Sequence, residues 1–250
     1  MRQSHNKTKP ILSIIASFLL LACIVGAVLY WNADDETVTS DEPSVTDIST
    51  LPAYEDFNSP YVVVNKNKPY FGEDDYTTEP FEEYSDLDSL GRCGAAFVNA
   101  CLDIMPTEER GNIGTIKPSG WNQAKYEGII NSNPPYLYNR CHLIGYQISA
   151  ENANEKNLIT GTRYMNVSGM LSFENKVVAF IHNGEQEGKK RHVLYRVTPE
   201  FEGDNLVASG VLMEASSVED KGKGLSFCVY VFNVQPGVII DYSDGSSRLE

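Results

Sequence analysis

One histidine stands inside the densest polar stretch of the chain. Asn139-Arg140-Cys141-His142 is followed by Asn157, Asn166 and Glu174. Histidine changes charge near neutral pH, which makes it the natural general base for abstracting a proton from water. An amide oxygen and a carboxylate are hard donors, and magnesium accepts such a pair while keeping most of its waters. Asn166 and Glu174 are eight positions apart, about two turns at roughly 3.6 residues per turn. Both can therefore face one ion.

Other chemistries fit less well. His182 and His192 stand alone and read as structural, and Asn152-Ala153-Asn154 reads as a turn. Cys141 adjoins His142, but neighbours on a strand point to opposite faces, which argues against a thiol–imidazole dyad. No G-x-S-x-G elbow is present, nor any C-x-x-C or Cys/His zinc spacing. Outside the N-terminal apolar run the cysteines are Cys93, Cys101, Cys141 and Cys228. Their pairing, or their persistence as buried thiols, is not fixed by the sequence.

The elements that must position these residues are of both kinds. Residues 61–64, 192–197, 206–213, 225–232 and 238–240 read as strands of an antiparallel sheet. Residues 95–102 lean to strand, and 136–149 contain a strand followed by a loop. Residues 81–90 are acidic and read as a loop or short helix, while Lys117-Pro118-Ser119-Gly120-Trp121 is turn chemistry. Over 172–181, Phe173, Val177 and Phe180 follow helical spacing. The class is α+β, a central antiparallel sheet flanked by helices.

Three regions divide the chain. In residues 1–31, Arg2, Lys7 and Lys9 precede an uncharged apolar run from 11 to 31. That run is long enough to span a bilayer as a transmembrane signal anchor, with the chain beyond it outside the cytoplasm. A cleaved signal peptide, or a lipoprotein signal at Leu20-Leu21-Ala22-Cys23, is a weaker fit, because the apolar run continues past Cys23. Residues 32–58 hold many carboxylates and no Lys or Arg, which reads as a disordered tether. Residues 59–250 are long enough for one domain with a core. The net charge is −14, which argues against tight static binding to nucleic acid. It leaves room for an enzyme with a local phosphate grip, because residues 110–156 are nearly neutral.

Four segments together carry a resemblance: 139–146, 154–160, Tyr164-Met165-Asn166 and Phe173-Glu174-Asn175-Lys176-Val177. Their order and spacing resemble the DNA/RNA non-specific endonucleases, which have a ββα-metal core. The nearest branch is that of secreted DNases and DNA-entry nucleases of Gram-positive bacteria, and residues 117–121 and 225–242 fit it too. The resemblance covers most of 60–245. It implies His142 as general base, with catalytic support from Asn157 and Arg140. It implies Mg2+, with Mn2+ as a substitute, held by Asn166 and by Glu174, directly or through water. The product would carry a 5′ phosphate, with little base reading. The family tetrad is Asp-Arg-Gly-His; here Asn139 and Cys141 replace the first and third members. Some members carry an arginine where this chain has Val178, leaving transition-state charge to Arg140, Arg163 or Lys117. The implied partners are DNA, with RNA open, the membrane, and DNA-uptake machinery. A non-catalytic DNA receptor, a nuclease toxin of the same chemistry and a structural surface protein are the alternatives.

Overall fold

A computed structural model describes residues 44–250 apart from 52, 57 and 58. The apolar run over 11–31 and the first part of the tether lie outside the described residues. Among the described residues no helix is long and apolar enough to cross a membrane.

The framework is a seven-stranded sheet. In chain order its strands are β1 (Ser44–Val45), β2 (Tyr61–Val64), β3 (Glu82–Tyr84) and β4 (Ala96–Ala100), then β7 (Val193–Glu200), β8 (Gly210–Ser217) and β9 (Ser226–Phe232). The spatial order is β1-β2-β9-β8-β7-β4-β3. Every pairing is antiparallel except β1 with β2. β8 lies in the middle and is buried at every position. Both of its faces are covered, so the usual alternation of apolar and polar residues disappears.

One face carries the main core. Helix α2 (Leu171–Gln186) lays Phe173, Val177 and Ile181 on sheet residues that include Val98, Tyr195, Met213 and Val229. Each such side chain contributes about 1.5–3 kcal/mol when fully buried. The ring of Phe173 meets Tyr61 and Phe227 at centroid distances of 4.9 and 5.0 Å. On the other face, Arg196 grips the buried carboxylate of Glu214 through two hydrogen bonds of 2.8 and 3.1 Å. The same guanidinium lies over Phe71 and Phe97.

The remaining elements build on this frame. Strands β5 (Tyr138–His142) and β6 (Leu158–Thr162) form an antiparallel pair. Between them stands α1 (Tyr146–Ser149), and after β6 a π-helical turn, Met165–Met170, runs into α2. Buried Asn233 ties this unit to the end of β9: its amide donates to Thr160 O, and its Oδ1 accepts from Thr162 N. The chain order is thus two strands and a helix, laid against the sheet.

Some expectations differ from the structure. Part of the acidic stretch 81–90 is β3, an edge strand paired with β4; its outward carboxylates suit an edge facing water. Residues 238–240 do form a strand, β10 (Val238–Ile240), but not in the large sheet. β10 pairs with β11 (Ser247–Leu249), and Val238 packs on Ile130, Leu137 and Tyr138. The stretch read as tether is ordered in part: Val45, Ile48, Leu51 and Tyr54 pack on Val62, Leu212, Tyr230 and Phe232. These four apolar residues are spaced through an acidic background, which masks them in composition.

Candidate active site

His142 is the last residue of β5, and the pleat sets its direction. Cys141 faces the core and His142 the opposite side, where a cavity of about 290 Å³ opens. The imidazole is held at both nitrogens. Nε2 lies 2.8 Å from the carbonyl of Asn152. A carbonyl only accepts, so Nε2 carries the proton and Nδ1 keeps its lone pair. Nδ1 accepts from Nη2 of Arg110 at 3.2 Å. Burial lowers the pKa of His142 to about 4; the Asn152 bond opposes this and the Arg110 charge adds to it. The ring is therefore a neutral base at physiological pH.

Asn166 and Glu174 line the same cavity as His142. A regular α-helix turns about 100° per residue, which leaves positions eight apart roughly 80° out of line. The π turn widens the helix there, with Leu171 N donating to Asn166 O five residues back. That extra backbone rotates the amide toward the carboxylate. Glu174 is 7% exposed and forms no salt bridge among the described residues. Burial raises its pKa to about 7, against the lowering influence of Arg110 and Gln147. Gly145 makes room for it: a Cβ there would come within 2.9 Å of the carboxyl carbon. A buried carboxylate without a cationic partner, beside an amide oxygen, suits a hard divalent ion that keeps waters. Among the described residues no group of three His, Cys, Asp or Glu could hold a metal.

Cys141, which replaces the tetrad glycine, fits without disturbing the strand. Gly161 on β6 vacates the space: a Cβ there would lie 2.6 Å from Cys141 Cβ. The thiol is 1% exposed and donates to Asn166 Oδ1 at 3.4 Å. Cys93, Cys101, Cys141 and Cys228 are all free and buried.

The other candidates from the sequence divide. Arg140 lines the cavity, but its guanidinium holds a loop. It donates to the carbonyls of Ile116 and Gly114 and stacks on Trp121 at 4.2 Å. Asn157 makes no hydrogen bond to the imidazole and does not line the cavity. Its amide bonds Ile144 N at 2.8 Å and Ile144 O at 3.0 Å, fixing the turn just after His142. Lys117 is exposed and lines none of these cavities. Arg163 and Asn139 line an adjoining cleft. His192 bonds Glu219 at 2.6 Å and exposed His182 faces Glu185, both remote from the cavity.

Two contributors were missed from sequence. Arg110 reaches the cavity from the loop between β4 and β5, which Tyr146 pins by donating to Glu108 O at 2.8 Å. It is the sole cation between Arg92 and Lys117, a faint signal. The main-chain carbonyl of Asn152 has no sequence signal at all.

This arrangement joins a neutral imidazole, an amide and a carboxyl group, and a guanidinium at one cavity, on a strand–strand–helix unit. A family model for DNA/RNA non-specific endonuclease matches residues 73–219. The chain belongs to this family. The match takes in β5, β6 and α2, hence His142, Asn166 and Glu174. A deoxyribonuclease of Streptococcus dysgalactiae subsp. equisimilis is 32% identical over 119 residues, covering 46% of this chain. The chain spans only 34% of that protein's length. NucA from Streptococcus agalactiae, solved with no metal bound, shares the fold with a TM-score of 0.65 and 23% identity. That likeness covers 81% of this chain and 92% of NucA. The Sda1 nuclease with bound zinc ion gives a TM-score of 0.63 at 25% identity, over 80% of this chain and all (100%) of Sda1. The α+β fold with its large, mostly antiparallel sheet is thus a family fold.

Proposed function

We propose that this chain is a divalent-metal-dependent nuclease that hydrolyses phosphodiester bonds of DNA with little regard to sequence. The observation that carries the reading is the shared cavity: His142, Asn166 and Glu174 line one space together with Arg110, whose guanidinium occupies the lone pair of His142 Nδ1. RNA carries the same linkage, and the same groups would act on it. NucA has also been solved with magnesium bound and Sda1 with zinc; the oxygen donors here favour magnesium, with manganese as a substitute.

The chain's own groups divide the work. Nδ1 of His142 takes a proton from the attacking water, and the Asn152 carbonyl holds the ring as it becomes positive. Asn166 and Glu174 would hold the ion. Bound there, a divalent ion supplies charge stabilisation at a phosphate oxygen and at the leaving 3′ oxygen. Arg110 is poised to meet the phosphate. When it turns from Nδ1 to a non-bridging oxygen it frees the base and adds positive charge where negative charge develops. It fills the role left open at Val178. Arg140 acts through the loop it holds. Asn157 fixes the turn beside His142.

The domain acts on the outer side of a membrane in this reading. Its support is the basic-then-apolar pattern over residues 1–31. The activity is tested with full-length chain purified in detergent and supercoiled plasmid. Nicked and linear products bearing 5′ phosphates should appear with Mg2+ and vanish with EDTA. DNA binding without cleavage under Mg2+, Mn2+ or Zn2+ would instead make the protein a receptor.

A further inference from the structure

A second cleft of about 630 Å³ adjoins the catalytic cavity and shares Arg110, Arg140 and Asn166 with it. No described aspartate or glutamate lines it, in a chain with 34 acidic residues. Three guanidiniums do, those of Arg110, Arg140 and Arg163. The charged side chains that line this cleft among the described residues are thus all cationic, which favours an anionic ligand. Arg140 is tied to its loop. Arg163 and Asn139 have no side-chain hydrogen bond or ion pair among the described residues, so both can serve a ligand.

The cleft also has an aromatic wall. Tyr136 is 40% exposed, with the Lys125 ammonium 5.0 Å from the ring centroid. Trp121 lines the cleft too, with the Arg140 guanidinium 4.2 Å from its ring centroid. Hydrogen bonds hold the segment carrying Tyr136 in place without a ligand. Leu137 N bonds Ala124 O at 2.9 Å, and the Gln123 amide clamps Tyr138 N and O at 2.9 and 2.6 Å. Little order has to be imposed on binding.

We propose that this cleft takes one nucleobase turned out of its stack, beside the phosphate being cut. Tyr136 is the stacking surface and Arg163 the grip on the neighbouring phosphate. The proposal rests on the nuclease reading and adds the form of the substrate. A strand whose phosphate reaches Asn166 puts its next nucleotide in the cleft, because Asn166 borders both. In a duplex the faces of each base are covered by its neighbours. Single-stranded or locally opened DNA offers a free face. Every base has such a face, so this preference for form brings no preference for sequence.

The test uses full-length chain in detergent and one oligonucleotide, single-stranded or annealed to its complement. Cleavage with Mg2+ should favour the single strand. Tyr136→Ala should lower kcat/KM on the single strand by about 5- to 100-fold, with the duplex much less affected. Tyr136→Phe should restore the wild-type ratio, and Arg163→Gln should raise KM more than it lowers kcat. An unchanged ratio in Tyr136→Ala would overturn the proposal. A second readout does not depend on catalysis: quenching of a 2-aminopurine single strand in EDTA. Wild type, His142→Ala and Tyr136→Phe should quench it and Tyr136→Ala should not. Quenching that survives Tyr136→Ala, or is absent from wild type, removes the subsite. If no variant or metal gives cleavage but quenching follows Tyr136, the subsite stands and the nuclease reading falls.

Discussion

The thiol of Cys141 donates to Oδ1 of Asn166 across 3.4 Å. A core side chain on β5 thereby orients an amide on the π turn, at the place where the family pattern has glycine. Burial pushes the thiol's pKa well up, so the group stays protonated and remains a donor. Cys141→Gly should lower stability by about 1–2 kcal/mol, through a small cavity and a freer backbone. It should also raise the Mg2+ concentration needed for half-maximal thermal stabilisation by about 10-fold, the scale of lost outer-sphere support. Cys141→Ser keeps a donor and should fall between. Equal Mg2+ titrations for all three proteins would show that the thiol does not position Asn166.

The pH dependence follows from His142. Its folded pKa of about 4 lies below the ordinary 6.5. The unfolded chain binds the proton more readily, so this group's contribution to stability is complete above about 6.5 and is lost as pH falls through 4. With saturating metal, the base stays neutral and kcat/KM should hold its plateau below pH 6. A drop centred at 6.5 would mean an ordinary, solvated histidine.

Glu174 has the opposite sign. Its folded pKa of about 7 lies above the ordinary 4.5. Its favourable contribution is present below 4.5 and is lost as pH rises through 7, where the buried carboxylate ionises. Without metal at pH 8, Glu174→Gln should be more stable than wild type by about 1–3 kcal/mol. The same variant should gain no thermal stability from Mg2+. A destabilised variant that still responds to Mg2+ would remove Glu174 from the ion's site.

The two arginines separate by readout. Arg110→Ala should lower kcat by about 100-fold, the scale of losing one transition-state donor, with the melting temperature unchanged. Arg140→Ala should also lower kcat, and in addition expose the 108–117 loop to limited proteolysis. If Arg110→Ala leaves kcat intact, the guanidinium facing Nδ1 has no part in the reaction.

The local pattern was enough for β2, β7, β8, β9 and α2, because each carries its own periodicity or β-branched run; β4 and β5 are weaker in pattern, and β6 was not read as a strand. His142, Asn166 and Glu174 were legible as one group because they lie on a single strand–strand–helix unit. Even so, the reason that eight positions align is the π turn, which no residue type announces. Arg110 was illegible for a different reason. Its place depends on how Tyr146 and Arg140 pin a loop without regular structure, and such long-range bonds leave no periodic trace. For Asn157 the sequence left open support of the histidine or of the phosphate; both of its amide atoms are bonded to Ile144, in the turn just after His142. β11 and the ordered stretch after Ser44 were hidden by short length and polar surroundings.

The central claim is that His142 is the base. Plasmid cleavage by full-length wild type and His142→Ala, each with saturating Mg2+, tests it most directly. The variant should still unfold cooperatively at pH 8, at a somewhat lower temperature, and cleave at least about 100-fold more slowly. Near-normal cleavage by folded His142→Ala would contradict the account, whatever else occupies the cavity.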